Sequence, residues 1–175
     1  GNHHIKEVAW AAVVGVVGPL LARLNPNSLL NKAVPVVTTD VKVVNSTTTT
    51  QVSSTSGTWS DTTLTATITP KFATSKILVM INHGTMTKSS GVSTNRVMLK
   101  LVRDSTDIYV FGNGLLYTAT AVQNRGTGAF TYLDSPATTS AVTYKTQFAN
   151  GDAGAEVQVQ TNGSPSSIIL MEIAV

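Results

Sequence analysis

The sequence predicts an all-β protein: an antiparallel β-sandwich, jelly-roll-like, with a short apolar N-terminal helical segment. Three observations predict it. From Val36 onward, apolar and polar residues alternate with a period of two. Turn-forming clusters such as Asn82-His-Gly84, Asn150-Gly-Asp152 and Asn162-Gly-Ser164 punctuate that alternation. Of the 175 residues, 43 are Ser or Thr and 27 of these are Thr, while only 12% are charged. A β-branched hydroxyl residue suits a pleated strand and keeps its outer face wet without charge.

The N-terminal part, residues 1–35, differs in character. Residues 8–24 are almost wholly apolar, with no polar face. Ala, Leu and Val predict a helix there, interrupted at Gly18-Pro19 because proline lacks the donor and disfavours helical geometry before it. Asn25-Pro26-Asn27-Ser28 reads as a turn ahead of a short second helix. Three readings compete for this segment. A membrane span is one, although 17 residues of helix reach only about 26 Å. A signal peptide is another, with a poor cleavage pattern. The third is a docking or oligomer segment, with Trp10, Val13, Val14, Val17, Leu20, Leu21 and Leu24 as its contacts.

The second part, residues 36–175, reads as the sandwich domain. Val41, Val43 and Thr47–Thr50 give a first strand. Leu64, Ala66 and Ile68 alternate with Thr63, Thr65 and Thr67 in the next. The unbroken apolar run from Lys76 to Ile81 predicts a central strand ending in a turn at Asn82-His-Gly84. Val97, Leu99 and Leu101 form another strand, followed by a polar turn and Asp107–Phe111. Ala129–Leu133, then Val142–Phe148, then Val157 and Val159 follow. The chain closes with Ser167–Ile173, in which Glu172 is expected to point outward.

Charge and composition exclude several functions. Residues 1–35 sum to +2 and residues 36–175 to only +1, with the charges scattered, so no nucleic-acid partner is expected. There is no cysteine, hence no disulfide framework and no thiolate metal site. No Gly-x-Ser-x-Gly elbow, phosphate-binding Gly-rich loop or His-Glu-x-x-His motif is present. The chain therefore reads as a non-enzyme without cofactor or metal. His83 reads as a turn or interface histidine, and Asp104 with Asp107 as a charged hairpin tip rather than a cation site.

Four segments, in order, carry a resemblance: Thr62–Val79, Tyr132-Leu-Asp-Ser-Pro136, Tyr144-Lys-Thr-Gln-Phe148 and Ile168–Ile173. They resemble a β-rich domain found near the C-terminal end of tail-fibre-like proteins of marine bacteriophages, over roughly residues 42–175. The resemblance implies a virion structural domain, a homotrimer that joins other virion proteins and touches a host-surface glycan or protein. It transfers no catalytic residues. The apolar N-terminus stands where a fibre would carry a shaft.

The function expected is a fibre- or spike-like virion module whose loops face a receptor. A capsid shell or decoration protein, and a carbohydrate-binding module tethered to a membrane through residues 8–24, are the alternatives. Receptor-facing candidates come from two predicted loops, because rigid sandwiches present recognition groups on loops. Gly84–Thr94 supplies Thr85, Lys88 and Ser89, and Gly112–Gly128 supplies Asn113, Tyr117, Asn124 and Arg125.

Overall fold

The computed structural model describes residues 41–175, which lie in one compact unit, Asp40–Val175. The expectations for residues 1–35, the helical segment and its seven contact residues included, lie outside the described residues.

Ten strands follow in order: β1 (Val43–Thr48), β2 (Val52–Ser54), β3 (Ser60–Ile68), β4 (Lys76–Lys88), β5 (Val97–Arg103), β6 (Thr106–Leu115), β7 (Asn124–Asp134), β8 (Val142–Asn150), β9 (Val157–Val159) and β10 (Ser166–Ile173). Every pairing is antiparallel. One sheet runs β3-β8-β5-β6. The other is organised around β4. β7 lies along one side of it from Ile77 to Lys88. On its other side β10 pairs from Lys76 to Asn82, and β9 takes over at Thr87 and Lys88. β1 extends this sheet beyond β10, and β2 beyond β9.

With β2 and β9 set aside, the main strands form two four-stranded sheets, β1-β10-β4-β7 and β3-β8-β5-β6. Apart from the β5–β6 hairpin, each step along the chain crosses from one sheet to the other. That is the double Greek-key order of a jelly roll, the architecture expected from the sequence.

The alternation that predicts each strand also fills the core. Leu64, Ala66 and Ile68 of β3 are buried, while Thr63, Thr65 and Thr67 are exposed. Burying one such side chain contributes about 1.5–3 kcal/mol relative to leaving it in water. The interior holds two apolar clusters. One gathers Leu64, Ile81, Tyr144, Ile168 and their neighbours; the other gathers Met86, Leu99, Phe148, Val157 and Val159.

A polar layer separates the clusters. Thr62, His83, Thr146, Gln160 and Ser166 are all buried, each one or two positions along the chain from a residue of the clusters. His83 Nε2 meets Thr146 Oγ1 at 3.1 Å and Nδ1 meets Ser166 Oγ at 3.4 Å. The Thr62 and Thr146 hydroxyls join in a hydrogen bond of 2.5 Å. The Gln160 amide completes the layer by donating to the carbonyls of Thr50 and Thr62 and accepting from Ser166 Oγ. Buried polar groups tie the two sheets together because each finds a partner.

Three expectations are corrected. Asn82-His-Gly84 is not a turn: β4 continues through it to Lys88, and His83 sits fully buried in mid-strand. Gly84 serves close approach instead, since a Cβ there would overlap the Pro165 carbonyl and lie 2.8 Å from that of Ser164. The predicted loops shrink as β4, β6 and β7 lengthen, leaving residues 89–96 and 116–123 between strands. Glu172 does not point outward. It shares the inward face of β10 with Ile168 and Leu170, and its Oε1 accepts from the backbone amides of Lys71 at 2.6 Å and Phe72 at 3.3 Å. Burial works to raise its pKa, but the Ser75 hydroxyl, these two amides and the Lys42 charge together hold it below the usual value.

Candidate functional site

The receptor-facing candidates separate into three groups. Lys88 leaves the set, because it is fully buried. Its Nζ donates to the carbonyls of Thr120 at 2.9 Å and Ser93 at 3.4 Å, so it braces the two shortened loops from behind. A buried ammonium needs such acceptors, and two loop carbonyls supply them. Thr85, Ser89 and Asn124 are half-buried, and Ser89 and Asn124 spend their side chains on structure. The Thr85 amide donates to Ser164 Oγ, Ser89 Oγ accepts from the Glu156 amide, and Asn124 Nδ2 donates to the Leu116 carbonyl. Asn113, Tyr117 and Arg125 remain exposed, Arg125 on the outward face of β7.

Asn113 and Tyr117 come together. With Thr94, Arg96 and Gly114 they line a shallow cleft of about 360 Å³ between the two braced loops. The size falls within the ~300–1,000 Å³ range of small-molecule sites.

Arg96 is the fixed element of this cleft. Its Nε donates to the Asn113 carbonyl at 2.8 Å, and Nη1 donates to the Thr94 carbonyl at 3.1 Å and Asp152 Oδ2 at 2.8 Å. The guanidinium lies across Gly151, where a Cβ would come within 2.7 Å of Cζ. The Gly151 amide returns a hydrogen bond to the Arg96 carbonyl at 2.9 Å. Leu116 and Ala119, at φ +63° and +56°, hold the Tyr117 loop in left-handed backbone that costs non-glycine residues about 1–3 kcal/mol each. The brace from Lys88 and the bond from Asn124 maintain that shape.

Sequence reasoning missed Arg96. Its signal was present only as two separate turn cues, the polar run after Gly91 and Asn150-Gly-Asp152, which the fold brings into contact.

The other polar clusters serve structure. Asp134 receives Arg103 Nη1 at 2.6 Å and the Tyr144 hydroxyl at 2.7 Å. Asp104 Oδ1 accepts from the Thr143 amide while Asp107 pairs with Lys100, so the two carboxylates of the hairpin serve different partners. Lys100 Nζ also lies 4.6 Å from the centre of the Trp59 ring, which places that half-buried indole against the second sheet. Among the described residues no three His, Asp or Glu side chains gather as metal ligands.

A second surface feature lies along one side of the sandwich. Among the described residues β6 and β7 each pair on one side only, with β5 and β4. Phe111 stacks on Phe130 at 4.7 Å and Tyr109 packs on Tyr132 at 5.1 Å, closing the gap between the two edges. Tyr109, Val110 and Leu133 stay about half exposed there, at 49%, 51% and 47%.

No family model matches the chain. No curated protein matches it either. Among solved structures it is similar to VP2 of infectious bursal disease virus in a subviral particle, at 14% identity and a TM-score of 0.45, over 77% of this chain and 33% of that one. The Gx strain structure of the same virus gives 14% identity and a TM-score of 0.45, over 76% and 32%. The Gt strain gives 15% and 0.36, over 78% and 38%. The chain thus spans about a third of the length of these structures. The jelly-roll assignment rests on the strand order and register of this chain.

Proposed function

We propose that this chain is a non-enzymatic structural protein of a virus particle, a trimeric fibre- or spike-like module that presents loops for host attachment. The observation that carries this reading is the pair of free strand edges along one side of the sandwich. β6 and β7, 10 and 11 residues long, each leave the backbone groups of one edge without a strand partner among the described residues. Neither strand contains Lys or Pro, the residues that usually blunt an exposed edge. Bulges interrupt β6, yet Val110 and Leu133 still present apolar surface. An edge of this kind is suited to burial against other copies.

The ordered resemblance of Thr62–Val79, Tyr132–Pro136, Tyr144–Phe148 and Ile168–Ile173 to tail-fibre-like domains supports a virion as the assembly. The jelly-roll topology favours a second reading, a capsid shell or decoration protein, because that architecture recurs in viral capsid domains; it recurs in lectins too, so fold alone does not choose. Attachment through several weak loop contacts gains avidity from the number of copies.

Light scattering on the full chain tests the assembly. The expected mass is three times 18.3 kDa. The double variant Val110→Lys, Leu133→Lys is expected to fall to one chain with its β-rich circular dichroism unchanged. A monomeric wild-type chain would remove the trimeric display. Quantitative mass spectrometry of purified particles separates the remaining readings: few copies fit a fibre or spike, many fit a shell, and none ends the virion reading.

A further inference from the structure

We propose that the cleft between Arg96 and Tyr117 is a binding subsite for an acidic hexopyranose, a uronic-acid unit of a surface polysaccharide. The inference deepens the attachment reading and rests on it.

The cleft supplies the two kinds of contact a pyranose needs. Tyr117, 49% exposed, offers an aromatic surface to the C–H face of a sugar ring. Polar groups converge beside it. Arg96 commits Nε and Nη1 to the protein and leaves Nη2 without a hydrogen-bond partner among the described residues. The side chain of Asn113 and the hydroxyl of Thr94 are likewise free of hydrogen bonds there, although the carbonyls of both residues fix Arg96. Asp152 draws on Nη1 alone, so the free nitrogen retains donor capacity for a carboxylate. Gly114 lines the cleft between Asn113 and Tyr117, and a Cβ there would meet only open space.

The arrangement is preorganised. Arg96 is held by three hydrogen bonds and by the flat seat at Gly151, which any larger residue would fill. The backbone at Leu116 and Ala119 is strained, and Lys88 ties both loops to β4. A site whose donors are already in place loses little conformational entropy on binding. The cleft is open and shallow, so a single subsite binds weakly, and multiple copies supply the avidity.

Titration of the isotope-labelled full chain, followed by two-dimensional NMR, tests this. Methyl β-glucuronide is the probe, with methyl β-glucoside and sodium acetate as controls. The expected result is a saturable shift of the Arg96 Nε–H, Asn113 and Tyr117 resonances by the glucuronide in the millimolar range, with much weaker responses to both controls. Tyr117→Ala, at an exposed position, is expected to weaken binding about tenfold while leaving the remaining spectrum in place. Gly151→Ala is expected to displace Arg96 and weaken the glucuronide more than the glucoside.

No shift in these resonances at tens of millimolar glucuronide would overturn the subsite. So would an unaltered response in Tyr117→Ala, or a matching response to acetate, which would mark simple anion binding. An equal response to the glucoside would overturn the acidic specificity. Failure here with the chain present on particles leaves the structural role standing. Sugar binding by a chain absent from particles would instead refute the virion role.

Discussion

The Tyr144 hydroxyl donates to Oδ2 of Asp134 at 2.7 Å, fastening a phenol buried in the core to the last residue of β7. Arg103 closes the group from the opposite sheet, with Nη1 at 2.6 Å from the same oxygen. The contact joins β8 to β7, strands that belong to different sheets and share no ladder. Tyr144→Phe keeps the ring and removes the donor to a charged acceptor, and is expected to cost about 2 kcal/mol. Urea denaturation measures it; an unchanged midpoint would mean the hydroxyl contributes nothing net. Burial, reinforced by the bond to Asp134, raises the tyrosine pKa well above its ordinary 10.0. The folded state then holds the proton longer than the unfolded one. Stability from this residue is therefore present below pH 10 and declines as the pH rises beyond it, a decline that Tyr144→Phe should lack.

The polar layer around His83 predicts acid sensitivity. Burial lowers its pKa from 6.5 to about 4. Its hydrogen-bond neighbours are the hydroxyls of Thr146 and Ser166 and the side-chain amide of Gln160, with no carboxylate among them to stabilise an imidazolium. The unfolded chain takes up the proton first as the pH falls. Stability is full above about pH 6.5 and is lost progressively toward pH 4, by about 3 kcal/mol in all. Comparing urea midpoints at several pH values, wild type against His83→Gln, isolates this share. An identical pH slope in both proteins would rule the histidine out as its source.

Gly84 is expected to tolerate no side chain. A Cβ would lie 2.6 Å from Ser164 Oγ and 2.8 Å from the Ser164 carbonyl oxygen, and the amides of Gly84 and Thr85 are tied to the hydroxyls of Ser166 and Ser164. Gly84→Ala should destabilise the protein by about 1–3 kcal/mol, the usual penalty for overpacking. Gly114→Ala, which meets open space, is the matched control and should stay within about 0.5 kcal/mol of wild type. Equal melting temperatures for the two variants would show that the Ser164–Pro165 segment yields easily.

Lys88 is expected to act on loops rather than on the core. Lys88→Met retains most of the buried stem and removes the donor to the Ser93 and Thr120 carbonyls. Replacing a buried charge by an apolar residue of similar volume is often nearly neutral for global stability. Amide hydrogen exchange should nevertheless accelerate in residues 89–96 and 116–123, and not in β8 or β10. Exchange that rises evenly across the chain, or nowhere, would contradict the bracing role.

The strands of the second sheet were legible because their signal is local. In β3 and β8 the inward residues Leu64, Ala66, Ile68, Val142, Tyr144, Thr146 and Phe148 recur every second position, which is all a strand needs to declare a buried face. The sequence predicts a shorter β4 because Asn82-His-Gly84 has the composition of a turn. Only the approach of the Ser164–Pro165 segment explains why a glycine stands inside a strand. Glu172 departs from its expected outward position for a related reason. Its chemistry points to solvent, but its register places it inward, and the partners that make this tolerable are amides about 100 residues away at Lys71 and Phe72.

By itself, the sequence determined that the chain makes an antiparallel sandwich, where its main strands run, and that Asn113 and Tyr117 stand on exposed surface. The tertiary structure decided which strands are neighbours, that Lys88 is an internal brace, that His83 belongs to a buried layer, and that Arg96 rests on Gly151 beside Tyr117. The division has a physical cause. Alternation is a property of a few consecutive residues, whereas each of the later facts depends on a contact between segments far apart in the chain, and those contacts exist only once both sheets have closed on one core.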